Sequence, residues 1–246
     1  MEGREIRGRT LVSAGIAAAL SFAAFAASAS GATVIGSTGL PNDAPGYLDN
    51  SLRVQDVDPG EGGELYRVPA AGVITSWSSL ANATPNRTQK LIITRNPDLD
   101  NDWDIVAKDA LRTLATPDAL NTFLVRIPVA AGDQLAIYTP DGQPGDRTSA
   151  VWNSAGAGTV GNVSGAEPSG SFSVSSFTLN TRLNLSASIE PDADGDGFGD
   201  ETQDKCPSSA TAQGSCPAKK PKKCKKAKKK RKAAGKKKRC KKRKKK

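Results

Sequence analysis

Short stretches in which apolar and polar residues alternate recur along the chain between residues 72 and 190. Alternation with a period of two places every second side chain on the same face of a strand, as in a sheet that is buried on one side. The stretches that predict strands are GVITSW (72–77), QKLIITR (89–95), WDIVAKD (103–109), TFLVRIPV (122–129), DQLAIYT (133–139), SAVWN (149–153), SFSVSSF (171–177) and RLNLSASIE (182–190).

Segments rich in proline, glycine, asparagine and aspartate separate these stretches and predict turns. They are PAAG (69–72), TPNR (84–87), NPDLDND (96–102), PDGQPGD (140–146) and the glycine-rich SAGAGTVGNVSG (154–165). Many short strands at this spacing are typical of a two-sheet sandwich. We therefore predict an all-β fold, with a jelly-roll-like β-sandwich domain over residues 33–190.

The amino terminus has the order of a secretory signal peptide. Arg4, Arg7 and Arg9 precede an uncharged stretch, 11–29, and small residues follow at 27–29 and 30–32. This order predicts a cleaved leader over residues 1–32 and a secreted, extracellular or envelope-associated protein. A retained membrane anchor is the alternative, but the stretch is rich in weakly apolar alanine, which favours secretion.

Charge is divided sharply along the chain. Residues 217–246 contain 21 Lys and Arg and no acid, so the other 216 residues have 14 basic against 25 acidic side chains. Such a tail repels itself and lacks apolar side chains, so we expect residues 208–246 to be disordered and basic. Its partners are expected to be anionic cell-wall polymers or lipid headgroups, and the protein's own acidic body is a further candidate. Nucleic acid would be bound only non-specifically, because no aromatic residue is present to stack on bases.

The four cysteines all lie near the carboxyl terminus, at Cys206, Cys216, Cys224 and Cys240. In an exported protein an even number of cysteines predicts disulfides, with three connectivities open. Proximity in sequence favours the pairs Cys206–Cys216 and Cys224–Cys240. A zinc site is less favoured because the chain has no CxxC pair.

The chain contains no histidine. This excludes Ser-His-Asp and Cys-His catalysis and histidine-ligated zinc. A carboxylate pair for polysaccharide hydrolysis remains, in the stretch with Asp98, Asp100, Asp102 and Asp104, although a second calcium site, a carbohydrate-contacting loop or a solvated turn fits the same residues. Trp77, Trp103 and Trp152 fit either a sugar-stacking platform or core packing within strands. Asparagine sequons occur at residues 82, 86, 162 and 184.

The stretch DADGDGFGDETQDKCP, residues 192–207, has the ligand spacing of a calcium loop. Asp192, Asp194 and Asp196 fall at positions 1, 3 and 5 of the twelve-residue pattern, with a glycine at position 6. The carbonyl of Phe198 falls at position 7 and Asp200 at position 9. Position 12 is glutamine, Gln203, instead of the bidentate glutamate, so Glu201 and Asp204 are the acids available to complete the coordination.

These sixteen residues resemble the thrombospondin type 3 repeat, the DxDxDGxxDxxDxCP calcium loop of secreted and surface proteins. The chain has one residue more than that pattern between Asp200 and Cys206, which leaves open whether Glu201, Gln203 or Asp204 closes the site. The order of leader, β domain, acidic loop (191–207) and Lys-rich tail is also similar to a group of secreted actinobacterial proteins, a resemblance that implies no activity.

Together these features predict a non-enzymatic, calcium-binding protein of the envelope or extracellular space. Its β-sandwich would bind a ligand such as a carbohydrate or serve a structural role, and its tail would retain it on anionic surfaces. The two alternatives are a carboxylate-dependent polysaccharide hydrolase and an electrostatic nucleic-acid binder.

Overall fold

The structure is a computed structural model, which describes residues 31–39, 49–57, 65–84, 86–97, 101–142, 149–153 and 158–218. The predicted leader up to residue 30, the tail from residue 219, Cys224 and Cys240 lie outside these residues. Within the described ranges every regular element is a strand, which confirms the all-β prediction. None of the described residues forms a helix long and apolar enough to span a membrane.

The strands are β1 (Thr33–Ser37), β2 (Ser51–Val57), β3 (Gly72–Leu80), β4 (Arg87–Arg95), β5 (Asp102–Lys108), β6 (Arg112–Leu114), β7 (Leu120–Val129), β8 (Gln134–Thr139), β9 (Val151–Asn153), β10 (Thr159–Ser164), β11 (Phe172–Ser173), β12 (Ser176–Leu179), β13 (Thr181–Leu183) and β14 (Leu185–Glu190). A smaller sheet has the order β1-β14-β3-β7, and a larger sheet has the order β11-β5-β4-β8-β2-β10-β12 with β6 on β4. Strands β9 and β13 form a separate pair.

The connectivity of the two sheets is that of a jelly roll. Strands β1, β14, β3 and β7 of the smaller sheet match β2, β8, β4 and β5 of the larger sheet, and the chain passes between the sheets as it does in two Greek keys. The neighbouring strands pair antiparallel, for example β3 with β7 and β4 with β8. The predicted jelly-roll-like sandwich is therefore confirmed, and β9 to β13 are additions between β8 and β14.

The core lies between the two sheets. Ile74 and Trp77 of β3 pack in one buried cluster with Leu91 of β4 and Ile137 of β8. The indole of Trp77 is fully buried and donates a 2.8 Å hydrogen bond to Asp109 Oδ2. Removing this much apolar surface from water is the main contribution to the stability of the sandwich.

The larger sheet is buried on its second face as well. Ile92 points away from the main core and packs with Trp103, Phe172 and Val174 in a second cluster. Segment 165–175 therefore covers this face, and the Glu167 carboxylate accepts hydrogen bonds from Lys90 and, at 2.9 Å, from Lys108. Burial on both faces explains why 91–93 is a continuous apolar run.

The sequence did not predict four of the observed strands. Strands β1, β2 and β6 lie outside the predicted stretches, and β10 lies in the glycine-rich segment that predicts a turn. Gly161 of β10 is required because a Cβ there would lie 2.8 Å from a methyl group of Val174. The prediction of a turn over 159–164 was wrong. The glycines and short side chains of β10 allow segment 165–175 to pack closely against the strand, and local composition does not reveal this contact.

Two predicted strands are each divided. The stretch 171–177 forms β11 and the start of β12, which lie at opposite ends of the larger sheet. The stretch 182–190 is interrupted at Asn184, which is fully buried. The Asn184 amide donates hydrogen bonds to the carbonyls of Leu80 (2.6 Å) and Ser149 (2.7 Å), so it joins β3 to the segment before β9. Its sequon is inaccessible in the folded protein.

Replacing Asn184 with Asp keeps the shape of the side chain but removes the amide donors to Leu80 and Ser149. We expect Asn184→Asp to lower the free energy of unfolding by about 1–3 kcal/mol for each buried carbonyl left without a donor. Urea denaturation measures the change, with Ser186→Ala on the half-buried outer face as the control. A variant as stable as the parent would contradict this role for Asn184.

Candidate metal centre

The acidic loop begins where β14 ends, and the last residue of that strand attaches it to the sandwich. Glu190 is 1% exposed. Its Oε2 accepts hydrogen bonds of 2.9 Å from the backbone N–H groups of Glu201 and Thr202. Its Oε1 accepts from the hydroxyls of Thr202 (2.6 Å) and, on β3, Thr75 (3.1 Å). A single buried carboxylate therefore joins the strand, the neighbouring strand and the far side of the loop.

These hydrogen bonds decide the ionisation of Glu190. Burial by itself pushes its pKa upward, but the donors from Thr202, Glu201 and Thr75 favour the charged form and outweigh that effect. The pKa of Glu190 consequently lies below its ordinary value. The attachment of the loop is made by an ionised carboxylate.

Strand β7 of the smaller sheet provides a second attachment. The guanidinium of Arg126 lies over the ring of Phe198, 4.0 Å from its centroid. The Gln203 amide donates a 2.7 Å hydrogen bond to the carbonyl of Val125. Gly199 is needed at this junction because a Cβ there would lie 2.5 Å from a Glu190 carboxylate oxygen. The loop is thus packed against the sandwich on several sides.

Within the loop, Asp192 organises the turn. Its carboxylate accepts hydrogen bonds from the N–H groups of Gly195 (2.9 Å), Asp196 (3.0 Å) and Gly197 (2.9 Å). Gly195 and Gly197 have φ values of 73° and 82°, which side chains rarely permit. Asp196 Oδ1 accepts in turn from the N–H of Phe198 at 2.9 Å. The glycines therefore allow the backbone to fold around the aspartates.

The first three predicted ligands are brought together. Asp192, Asp194 and Asp196 each place one carboxylate oxygen within 4.8 Å of the other two. Both oxygens of Asp194 are buried and have no hydrogen-bond partner among the described residues. A buried carboxylate without donors is costly, so its environment is suited to a cation.

Asp200 and Asp204 complete an acidic environment around these three residues. Burial raises the pKa of Asp200, and repulsion from Asp192, Asp194 and Asp204 raises it further, against a hydrogen bond from the N–H of Ala193. Asp204 is 3% exposed; its Oδ1 accepts from the N–H of Cys206 at 2.7 Å, while its Oδ2 is buried without a partner among the described residues.

The three candidates for the last ligand have different surroundings. Gln203 uses its amide to hold the edge of β7 at Val125. Glu201 is exposed, and its backbone N–H is bound to Glu190. Asp204 is buried, and its negative charge is one of the causes that raise the pKa of Asp200. Sequence spacing alone did not distinguish these residues, because the additional residue after Asp200 shifts the chain out of register with the repeat pattern.

A disulfide closes the far end of the loop. Cys206 and Cys216 are bonded, with their Cα atoms 4.8 Å apart, which confirms the predicted pair. Between them, the backbone N–H of Lys205 donates to the Gln213 carbonyl at 3.0 Å, and the Gln213 amide donates to Asp196 Oδ2 at 3.0 Å. No sequence motif marks Gln213 or Glu190, so the sequence did not predict the part that either residue plays in the loop.

The second acidic stretch is only partly described, because Asp98 and Asp100 lie outside the described residues. Asp102 and Asp104 lie on the same face of β5 and accept hydrogen bonds from Ser173 (2.5 Å) and Ser171 (2.6 Å). Both line a surface cavity of about 440 Å³ together with Pro97. The two carboxylates therefore form one wall, whereas glycoside hydrolysis uses carboxylates on both sides of the bond.

The tryptophans do not form an exposed platform. Trp77 and Trp103 are 0% and 3% exposed, and Trp152 is half-buried with Arg182 near its ring. Core packing, the alternative to sugar stacking, describes Trp77 and Trp103.

Comparisons with protein-family models, curated proteins and solved structures find no match for this chain. The resemblance of residues 192–207 to a thrombospondin type 3 repeat stays a prediction.

Replacing Glu190 with Gln is expected to lower the free energy of unfolding at neutral pH by about 1.5–3 kcal/mol, because a charged acceptor of four hydrogen bonds is lost. Since the folded pKa of Glu190 is lowered, its contribution exists above the unfolded value of about 4.3 and disappears as pH falls through the folded pKa. The difference between Glu190→Gln and the parent should therefore shrink below about pH 4.

Denaturant unfolding over a pH series measures this difference. The exposed Glu201 provides the matched control, and Glu201→Gln should be nearly neutral because only its backbone contacts Glu190. Equal effects of the two substitutions, or a difference that does not depend on pH, would contradict the role of Glu190.

Proposed function

We propose that the protein is a secreted or envelope-associated, non-enzymatic Ca²⁺-binding β-sandwich protein that its Lys-rich tail retains on anionic surfaces. The observation that carries the calcium assignment is the convergence of Asp192, Asp194 and Asp196, in which both oxygens of Asp194 are buried without a donor among the described residues. A divalent cation would offset the repulsion and the cost of burying them.

The donor set favours calcium over other metals. Carboxylate and carbonyl oxygens suit hard cations, and the absence of histidine in the chain excludes an imidazole-rich transition-metal site. Ca²⁺ accepts six to eight oxygen ligands in flexible geometry, whereas Mg²⁺ usually retains several waters. Asp192, Asp194, Asp196, Asp200 and the Phe198 carbonyl would supply the ligands that the spacing of the loop predicts.

Asp204 is the residue that we propose closes the site. It is buried, its Oδ2 has no partner among the described residues, and its charge acts on Asp200. Glu201 is exposed, and the Gln203 amide is used at the edge of β7. The bound ion would then link the end of β14 to the disulfide and serve a structural role, with a dissociation constant of about 10⁻⁴ to 10⁻³ M, typical of extracellular modules.

A binding or structural role is favoured over hydrolysis by the second acidic stretch. Asp102 and Asp104 lie on one wall of the surface cavity and each accepts a hydrogen bond from a serine, Ser173 and Ser171 respectively.

The tail, with 21 positive charges, has the composition for retention on polyanions such as cell-wall polymers or lipid headgroups. Nucleic acid would be bound by the same electrostatic term and without sequence preference.

Titration calorimetry with Ca²⁺ tests the metal site. Asp194→Asn is the sharpest variant because the Asp194 oxygens make no hydrogen bond among the described residues, so the turn should be retained while a ligand charge is lost. We expect this variant to lose measurable Ca²⁺ binding and Asp204→Asn to weaken it at least about tenfold, or about 1.4 kcal/mol. Glu201→Gln should bind Ca²⁺ nearly as the parent does.

Two results would contradict the assignment. Unchanged affinity in Asp194→Asn would show that the acidic loop is not the metal site. A strong loss in Glu201→Gln with an unchanged Asp204→Asn would show that Glu201 is the closing acid.

Retention by the tail predicts electrostatic binding that depends steeply on salt. If about ten of the 21 charges met phosphates of a duplex, log K would fall against log salt with a slope of about −9. Duplex DNA, polyphosphate and anionic vesicles should compete with one another for the full chain in fluorescence anisotropy. Preference for one DNA sequence, or binding that persists in molar salt, would contradict a charge anchor.

A further inference from the structure

Cys216, three residues before the tail begins at Lys219, is joined to the acidic loop by a disulfide. Cys216 is bonded to Cys206, and the Cα atoms of the two cysteines lie 4.8 Å apart. Cys206 follows Asp204 by two residues. Lys219, the first basic residue of the tail, follows Cys216 by three positions, a span of at most about 11 Å of extended chain. This tether gives the lysines a high effective concentration at the loop.

The segment between the two cysteines already folds back onto the loop. The Gln213 amide donates a 3.0 Å hydrogen bond to Asp196 Oδ2, one of the proposed ligands. The Gln213 carbonyl accepts from the N–H of Lys205 at 3.0 Å. The path of the chain between the site and the tail is therefore short and held in place.

Charge makes the loop and the tail complementary. Residues 190–206 contain seven acids and one lysine, a net charge of −6, and residues 217–246 carry +21. A cation would stabilise the loop, because the oxygens of Asp194 and Oδ2 of Asp204 are buried without donors among the described residues. A bound Ca²⁺ would reduce the net charge of the loop to −4.

We propose that the acidic loop is a docking surface for the protein's own Lys-rich tail, residues 219–246, and that Ca²⁺ displaces the tail and frees it for external polyanions. This inference rests on the proposed calcium site. The tail lowers the affinity of the loop for Ca²⁺, and by linkage Ca²⁺ raises the affinity of the full chain for a polyanion by the same factor. Retention on an anionic surface thereby depends on extracellular calcium.

The sign of the effect separates this coupling from ordinary screening. A divalent salt normally weakens the binding of a polycation to DNA, because it competes for the phosphates. Displacement of the tail by Ca²⁺ would instead strengthen binding to DNA. This effect would saturate at the Ca²⁺ concentration that fills the loop. Coupling between sites commonly amounts to about 5- to 150-fold.

The experiment measures the affinity of the full, oxidised chain for a fluorescent duplex oligonucleotide in low salt. Affinity is compared without Ca²⁺, with saturating Ca²⁺ and with NaCl of equal ionic strength. We expect Ca²⁺ to tighten binding at least about fivefold, whereas NaCl weakens it. Asp194→Asn/Glu201→Gln should bind tightly without Ca²⁺ and lose the response. Asp102→Asn/Asp104→Asn removes the same charge from β5 of the larger sheet and should behave as the parent.

Calorimetry on the same chains separates the two proposals. If Ca²⁺ binds but weakens DNA binding as NaCl does, the docking of the tail is wrong and the calcium site stands. If no Ca²⁺ binds, the calcium site is wrong. Docking of the tail is still tested by the DNA affinities measured without Ca²⁺, and equal affinities of the two double variants would overturn it. Circular dichroism shows whether each variant keeps the β-fold of the parent.

Discussion

The buried carboxylate of Glu190 is the interaction on which the arrangement of the acidic loop depends. It lies at the end of a core strand and accepts hydrogen bonds from residues eleven and twelve positions later, Glu201 and Thr202, and from Thr75. Because the carboxylate is ionised and fully used, it holds both ends of the loop together before any ion binds. The aspartates between them are consequently held near one another in spite of their repulsion.

The hydrogen bonds of the loop divide its acids into two groups. Asp192 accepts from backbone N–H groups and Glu190 from backbone N–H groups and threonine hydroxyls, and both shape the turn. Asp194 and Oδ2 of Asp204 are buried without donors among the described residues. Backbone donors can stabilise only the acids that they reach, so a cation, either an ion or a basic side chain, would stabilise the remaining charge. This requirement underlies both the calcium proposal and the proposed competition with the tail.

The fold shows why pattern alone predicted the central strands better than the outer ones. Strands β3, β4, β7 and β8 carry long apolar or alternating runs because they form the core, and each was predicted close to its observed position. Strand β10 is rich in glycine and short polar residues because Val174 packs against Gly161. Its strand conformation is imposed by pairing with β2 and β12, a long-range contact that local composition does not encode.

The sequence by itself determined the β class, the position and spacing of the aspartates and the separation of an acidic body from a basic tail, and it favoured the pairing of Cys206 with Cys216. These properties are local or additive, so adjacent residues suffice to predict them. Tertiary structure decided which acids face inward. Asp204 is buried and Glu201 is exposed because Gln203 and Glu190 attach the loop to different strands, and those attachments set the orientation of each side chain between them.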